Sequence, residues 1–302
     1  MRKEQKGIIL AILAAVFSGV AIPANKFFIV SLSPAVFTAV RALIIGVVFF
    51  AIASYQARRG HRSFKKVPWK YLIAIAVIGG AAAFLLYFTG LKLTTAGRAA
   101  FLYHSVLTIF TVVLAAAFLS ERVDRRMAMA LGVMLIGTIV LYVSQVQPSQ
   151  LWSNPNLGDL LIIVASVLWA VEYVISRKAM TMGETNFVVS FARMFFGGLI
   201  LFGFVIVTGN AAALLKLSFQ QWTNIGVSTL LLFGDILCWY WSIRYINVSK
   251  ASILLLLAPV ISLVGGSLFL NEPAPLLQLA GSAVILIGAY IVIGVKSEQG
   301  KG

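Results

Sequence analysis

Charge is what this 302-residue chain has least of. Asp, Glu, Lys and Arg together make up 11% of it, where a soluble domain carries roughly 25%. Such a chain cannot cover itself with a water-compatible surface, which excludes an ordinary soluble protein. Cysteine occurs once, as Cys238 inside an apolar run, so an intramolecular disulfide is excluded and a small packing residue is expected. Two histidines and one cysteine cannot build a His/Cys metal cluster, and no Ser-His-Asp spacing is present. A phosphate-cradling Gly-x-x-x-x-Gly-Lys loop is also missing, so ATP is not the direct energy source and no cofactor is implied.

What the chain has instead is apolar sequence, 61% of its residues. Ten runs approach the roughly 20 residues that span a bilayer. They lie near 7–26, 34–54, 70–91, 98–119, 126–146, 158–177, 187–208, 222–244, 250–270 and 275–295. Continuous runs of this length are helices rather than barrel strands. The first follows Met1-Arg2-Lys3, exceeds the apolar core of a usual signal peptide, and is read as a membrane helix. Connections are short and hold no soluble domain.

The net charge of +15 comes from Lys and Arg in those short loops, not from a contiguous basic face, so it does not point to nucleic acid. With the N-terminus inside, eighteen of the 24 Lys and Arg residues fall on that side and four on the other, with Arg41 and Arg193 inside runs. That asymmetry predicts cytoplasmic termini in a plasma or inner membrane.

The chain also repeats itself. Phe118-Leu119-Ser120-Glu121 is echoed 151 residues later by Phe269-Leu270-Asn271-Glu272. Gly7 pairs with Gly158, Lys26 with Arg177, Arg41 with Arg193, Trp69 with Trp222, Tyr87 with Tyr240 and Gly137 with Gly288, at offsets of 151 to 153. Internal repetition divides the chain into 1–150 and 151–302. Each half holds five runs, an odd number, so the second enters from the opposite face. The expected fold is therefore an all-α polytopic membrane protein of two inverted five-helix repeats, an architecture of transporters whose site lies between the halves.

A helix ending in an apolar pair plus Glu, followed by a helix with spaced small residues, resembles the EamA-type repeat of the drug/metabolite transporter superfamily. The residues are Phe118 to Glu121 with Ala130 and Gly137, and Phe269 to Glu272 with Gly281 and Gly288. Leu257-Ala258-Pro259-Val260 is similar to the family's proline-bearing fourth helix, whereas the first half departs from it with Ser105-Val106. Arg41 and Arg193 match the arginine often found in the second helix of each repeat. The resemblance implies a carrier that exports amino acids or other small metabolites by alternating access. Its cavity would be lined mainly by runs 1, 3, 4, 6, 8 and 9.

The residues themselves name candidates for that cavity. Asp235 sits mid-run, where a carboxylate costs about 2.5–3.5 kcal/mol on insertion scales. It must face the bundle interior, to bind a substrate amine, to carry a coupling proton, or to serve as a packing residue. Glu172 is either a second cavity carboxylate able to titrate near neutrality or an interfacial Glu reaching Arg177. His104 could relay protons or hydrogen-bond a neighbouring helix, with Thr108 and Thr111 on its face. Trp169, Trp239, Tyr87 and Tyr103 supply an aromatic lining suited to an amphipathic solute with a positive group. The paired Arg41 and Arg193 read as structural, and the scarcity of other mid-membrane cations argues against phosphorylated substrates. Gly79-Gly80 and Gly265-Gly266 suggest close helix contacts, and Pro23 and Pro259 suggest hinges.

Glu121 and Glu272 themselves are expected to be structural turns joining helices 4–5 and 9–10. The functional expectation is a secondary transporter, possessing a small-molecule substrate in the bilayer, working as a monomer or homodimer, and not an enzyme. A lipid flippase or other lipid-handling protein is the alternative.

Overall fold

A computed structural model describes residues 3–58, 68–144, 156–270 and 274–297. Asn271, Glu272, Pro273 and Trp152, and the side chains of Gly266, Phe269 and Leu270, lie outside what is described. Ten helices are long and apolar enough to cross a membrane among the described residues. They are α1 (Lys3–Phe28), α2 (Pro34–Arg58), α3 (Trp69–Leu93), α4 (Ala96–Leu119), α5 (Arg125–Val143), α6 (Leu157–Thr181), α7 (Asn186–Val207) and α8 (Phe219–Tyr245). Then come α9, in two segments (Val248–Leu255 and Ala258–Leu270), and α10 (Leu276–Ile293).

Five of the helices start at a polar cap. Thr95 accepts from the Arg98 amide, Asp124 from Met127 and Thr185 from Val188. Asn156 with Asp159, and Ser218 with Gln221, form reciprocal capping boxes at the starts of α6 and α8, satisfying amide donors that have no partner within a helix.

Glu4 in the first turn of α1 accepts from the Ser297 amide (2.8 Å), so both described ends of the chain lie on one face, here the terminal face. Five helices per half then start α6 from the far face. The equivalences in sequence are equivalences in space. Lys26 at the end of α1 donates to Leu91 and Lys92 carbonyls at the end of α3. Its counterpart Arg177 at the end of α6 donates to the Ile243 carbonyl at the end of α8.

Small residues set the helix spacing. The halves meet where α3 and α7 both widen into π-helical turns, Ile75–Ala82 and Ala192–Phe196. A Cβ on Gly197 would lie 2.5 Å from the Gly80 carbonyl carbon, so only glycine permits this backbone approach. Gly137 and Gly281 close α5 against α10 in the same way. The contact expected at Gly265 is not made; it faces open space. Helix α1 runs unbroken through Pro23, whereas α9 breaks immediately before Pro259.

The turn after α4 does more than join it to α5. Ser120 is in the left-handed region (φ 54°) and directs Glu121 across the repeat boundary to the start of α9. There its carboxylate accepts from the Val248 amide (2.8 Å), the Ser249 amide (2.9 Å) and the Ser249 hydroxyl (2.7 Å). An anionic cap on amides that have no partner within the helix is favourable through charge-assisted hydrogen bonding and the helix dipole. Glu121→Ala should therefore cost about 1–2 kcal/mol, the range of a lost helix cap, seen as a lower melting temperature in detergent. Unchanged melting would show that the cap carries no weight.

Candidate functional site

Two cavities follow one another from the far face inward. The outer is a vestibule of about 490 Å³ between the far ends of α1, α4, α5, α9 and α10, bordered by Pro23, Phe101, Tyr142, Pro259 and Gln278. The inner is a smaller cavity of about 50 Å³ that shares Ile22 with it. It is lined by Ser18, Ala21, Ile22 and Asn25 from α1, Arg41 from α2, and Phe84, Tyr87 and Phe88 from α3. Tyr103 of α4, Trp169 and Tyr173 of α6, Arg193 of α7, and Leu232 and Asp235 of α8 complete it. That volume holds a few waters at most.

The aromatic wall is one packed unit. Tyr87, Tyr103 and Trp169 stand mutually 5.2–5.4 Å apart by ring centroid, and Phe84 meets Trp169 edge-on at 5.2 Å. These spacings suit edge-to-face and tilted ring packing. The Trp169 indole donates to the Gly79 carbonyl across the π-helical turn of α3 (3.0 Å), which fixes its ring against the cavity.

Charge is distributed unevenly around this wall. Glu172 is fully buried; its Oε1 accepts from the Tyr240 hydroxyl (2.6 Å) and from Ser176, and Oε2 lies 3.4 Å from Arg193 Nη1. Arg193 Nη1 also donates to the Tyr240 oxygen (3.1 Å). Glu172 and Arg193 thus neutralise one another within a hydrogen-bonded group. Asp235 differs: it is partly exposed to the cavity, and no hydrogen bond or ion pair reaches it among the described residues. Arg41 is 1% exposed, its guanidinium stacked over Phe37 (4.4 Å) and Phe88 (4.7 Å). Its Nε and Nη1 have no hydrogen-bond partner among the described residues.

Of the candidates named from sequence, Asp235, Trp169, Tyr87 and Tyr103 line the cavity. Glu172 stands behind the lining, and its partner is Arg193 rather than Arg177. Trp239 packs on Tyr173 at 4.1 Å, one layer out. His104 is buried beside Tyr103 (4.6 Å), and neither ring nitrogen has a hydrogen-bond partner. On the same face, Thr108 donates to the Ser252 carbonyl of α9 (3.1 Å). Arg41 and Arg193, read as structural, both face the cavity, and only Arg193 has a structural partner. Helices α2 and α7 therefore contribute to the lining, while α9 borders the vestibule instead. Asn25 and Ser18 were not singled out beforehand; their spacing of seven along α1 is the periodic signal that places both on one face.

Comparison with known proteins agrees with this architecture. Residues 5–143 and 156–294 each match the EamA-like transporter family. An "uncharacterized transporter" of Archaeoglobus fulgidus is 25% identical over 96% of this chain and 99% of its own length. A "probable amino-acid metabolite efflux pump" of Escherichia coli is 23% identical, covering 97% of each chain. A solved crystal structure superposes with a TM-score of 0.74 at 19% identity, covering 96% of this chain and 97% of that one, and shows the same fold.

Removing one member of the buried pair should be costly, because the other charge stays behind in a dry interior. Arg193→Met is expected to destabilise by about 3–5 kcal/mol. Glu172→Gln added to it should recover a large part of that loss in detergent melting. Equal destabilisation by the single and double variants would show that packing, not charge pairing, holds this layer.

Proposed function

Because the chain belongs to the EamA-like transporter family, we propose that it is a secondary active transporter exporting amino acids or related small amphipathic metabolites across the cell membrane. The family and the named relatives support transport of a small molecule through the bilayer. The observation that carries the finer reading is the inner cavity, where an unpartnered carboxylate, Asp235, faces an aromatic wall. An ammonium group satisfies the carboxylate, and an apolar side chain satisfies the wall.

With the eighteen-to-four excess of basic residues on the terminal side, that face is cytoplasmic in this reading and the vestibule opens outward. The cytoplasmic end is then the closed one. There, buried Lys250 at the start of α9 donates to Glu4 (3.0 Å) and to the Ile293 and Val295 carbonyls. Glu121 caps the same helix turn. Alternating access would release this clamp, with the break at Leu256–Leu257 letting the inner segment of α9 swing from α4. Closure at the far end would bring the vestibule walls together, and the pre-existing Arg98–Asp159 pair (2.8 Å) already ties α4 to α6 there.

Proton coupling is assigned to Asp235, which Arg41, Arg193, Tyr87, Tyr103 and Tyr173 face from the surrounding helices. Protonated, it releases an ammonium; ionised, it holds one. The lipid-handling alternative has one feature in its favour, an apolar groove of about 450 Å³ near the terminal face between α3, α4 and α6, with Lys178 at its edge. That groove is separate from the inner cavity.

Purified protein in liposomes should drive amino-acid accumulation from an imposed pH gradient. Asp235→Asn should abolish that response, with equilibrium exchange of labelled substrate weakened because the ammonium loses its counter-charge. Gradient-driven accumulation unchanged in Asp235→Asn would remove proton coupling through this residue. Absence of transport for all twenty amino acids and their amines would remove the substrate class.

A further inference from the structure

The two halves of the cavity are not equivalent, and the difference points to a ligand. In the second half, Arg193 has a carboxylate partner, Glu172, from the first helix of its repeat. At the 151-residue offset that pairs Gly7 with Gly158 and Lys26 with Arg177, the position of Glu172 corresponds to Ala21. Ala21 lines the inner cavity on the same wall system as Arg41, the counterpart of Arg193. The arginine is kept and its carboxylate is missing.

The consequence is visible in the hydrogen bonds. Tyr240 bridges Arg193 and Glu172, whereas among the described residues the hydroxyl of its counterpart Tyr87 has no partner, and neither has Nε or Nη1 of Arg41. Phe37 and Phe88 favour the cation through their faces, but they accept none of these protons. A buried guanidinium with open donors is a costly arrangement that a carboxylate would complete with two charge-assisted hydrogen bonds.

We propose that Arg41 is the subsite for the carboxylate of the transported molecule, which occupies in the first half the place that Glu172 occupies in the second. Tyr87 donates to the same carboxylate, as Tyr240 does to Glu172. No ion pair joins Arg41 to Asp235 among the described residues, although both line the cavity. The ligand therefore supplies both opposite charges: carboxylate to Arg41, ammonium to Asp235, and an apolar side chain to the aromatic wall. This assignment rests on the amino-acid reading above and deepens it to zwitterions as against amines.

The test is equilibrium binding to the purified full chain with matched probes. These are phenylalanine, phenethylamine and 3-phenylpropionate, and leucine, isopentylamine and 4-methylpentanoate. Each amino acid should bind at least about tenfold tighter than its amine or its acid, since each lost partner leaves a buried charge unpaired. Arg41→Gln should erase the advantage of the amino acid over the amine while leaving amine binding in place. Ala21→Glu offers a second arm that does not depend on removing the arginine. It builds the missing pair internally, so melting temperature should hold or rise while amino-acid binding is lost.

If an amino acid binds the wild type no better than its amine, or Ala21→Glu keeps full amino-acid affinity with an intact fold, the subsite assignment is wrong and the broader reading stands. If none of the six probes binds the wild type, the subsite assignment fails, and the amino-acid reading is decided separately by the transport assay of all twenty.

Discussion

The cost of an uncompensated charge away from water governs how this protein is built. Inside a bilayer every polar group needs a partner from the protein, from trapped water or from a ligand. Most of the interior meets that demand directly. Glu172 is matched by Arg193, Tyr240 and Ser176, and buried Lys250 by Glu4 and two carbonyls. Lys26 and Arg177 are spent on the carbonyls that end α3 and α8. Against this background one group of exceptions shares a single place. Arg41, Tyr87 and Asp235 border the same small cavity with open hydrogen-bonding capacity.

Duplication explains why such exceptions can be recognised at all. Two copies of one five-helix unit provide an internal control, in which the same position can be read once complete and once incomplete. The completed version keeps the helices of the second half together. The incomplete version leaves a site. At the two faces the copies also do comparable work with different chemistry: Arg98 ties α4 to Asp159 of α6, and Lys250 ties α9 to Glu4 of α1. Each face thus carries an ion pair that joins two helices.

Much of this was legible in the chain itself. Span number and order follow from run length, and the duplication from residue pairs at constant offset, because both are properties of single helices or of sequence alone. The cavity residues Asp235, Trp169, Tyr87 and Tyr103 were accessible because charge and aromatics deep in apolar runs have to face inward. What could not be read were relations between helices. Glu172 has a nearby cation in sequence, Arg177, yet pairs with Arg193 from the next helix, whose π-helical turn packs on that of α3. Glu121 belongs to a turn after α4, yet caps α9. The break in α9 precedes Pro259 by two residues, while Pro23, no less suggestive in sequence, sits in a continuous helix. Gly265 offers a small surface that nothing approaches.

In the proposed mode of binding, a ligand completes the charges of the inner cavity. The most direct measurement is a crystal structure with 4-bromophenylalanine, located by the anomalous signal of bromine. The bromine should lie against the wall formed by Tyr87, Tyr103 and Trp169, with the carboxylate at Arg41 and the ammonium at Asp235, in a cavity enlarged beyond its present volume. Bromine confined to the outer vestibule or the apolar groove beside Lys178, with the inner cavity unchanged, would contradict it.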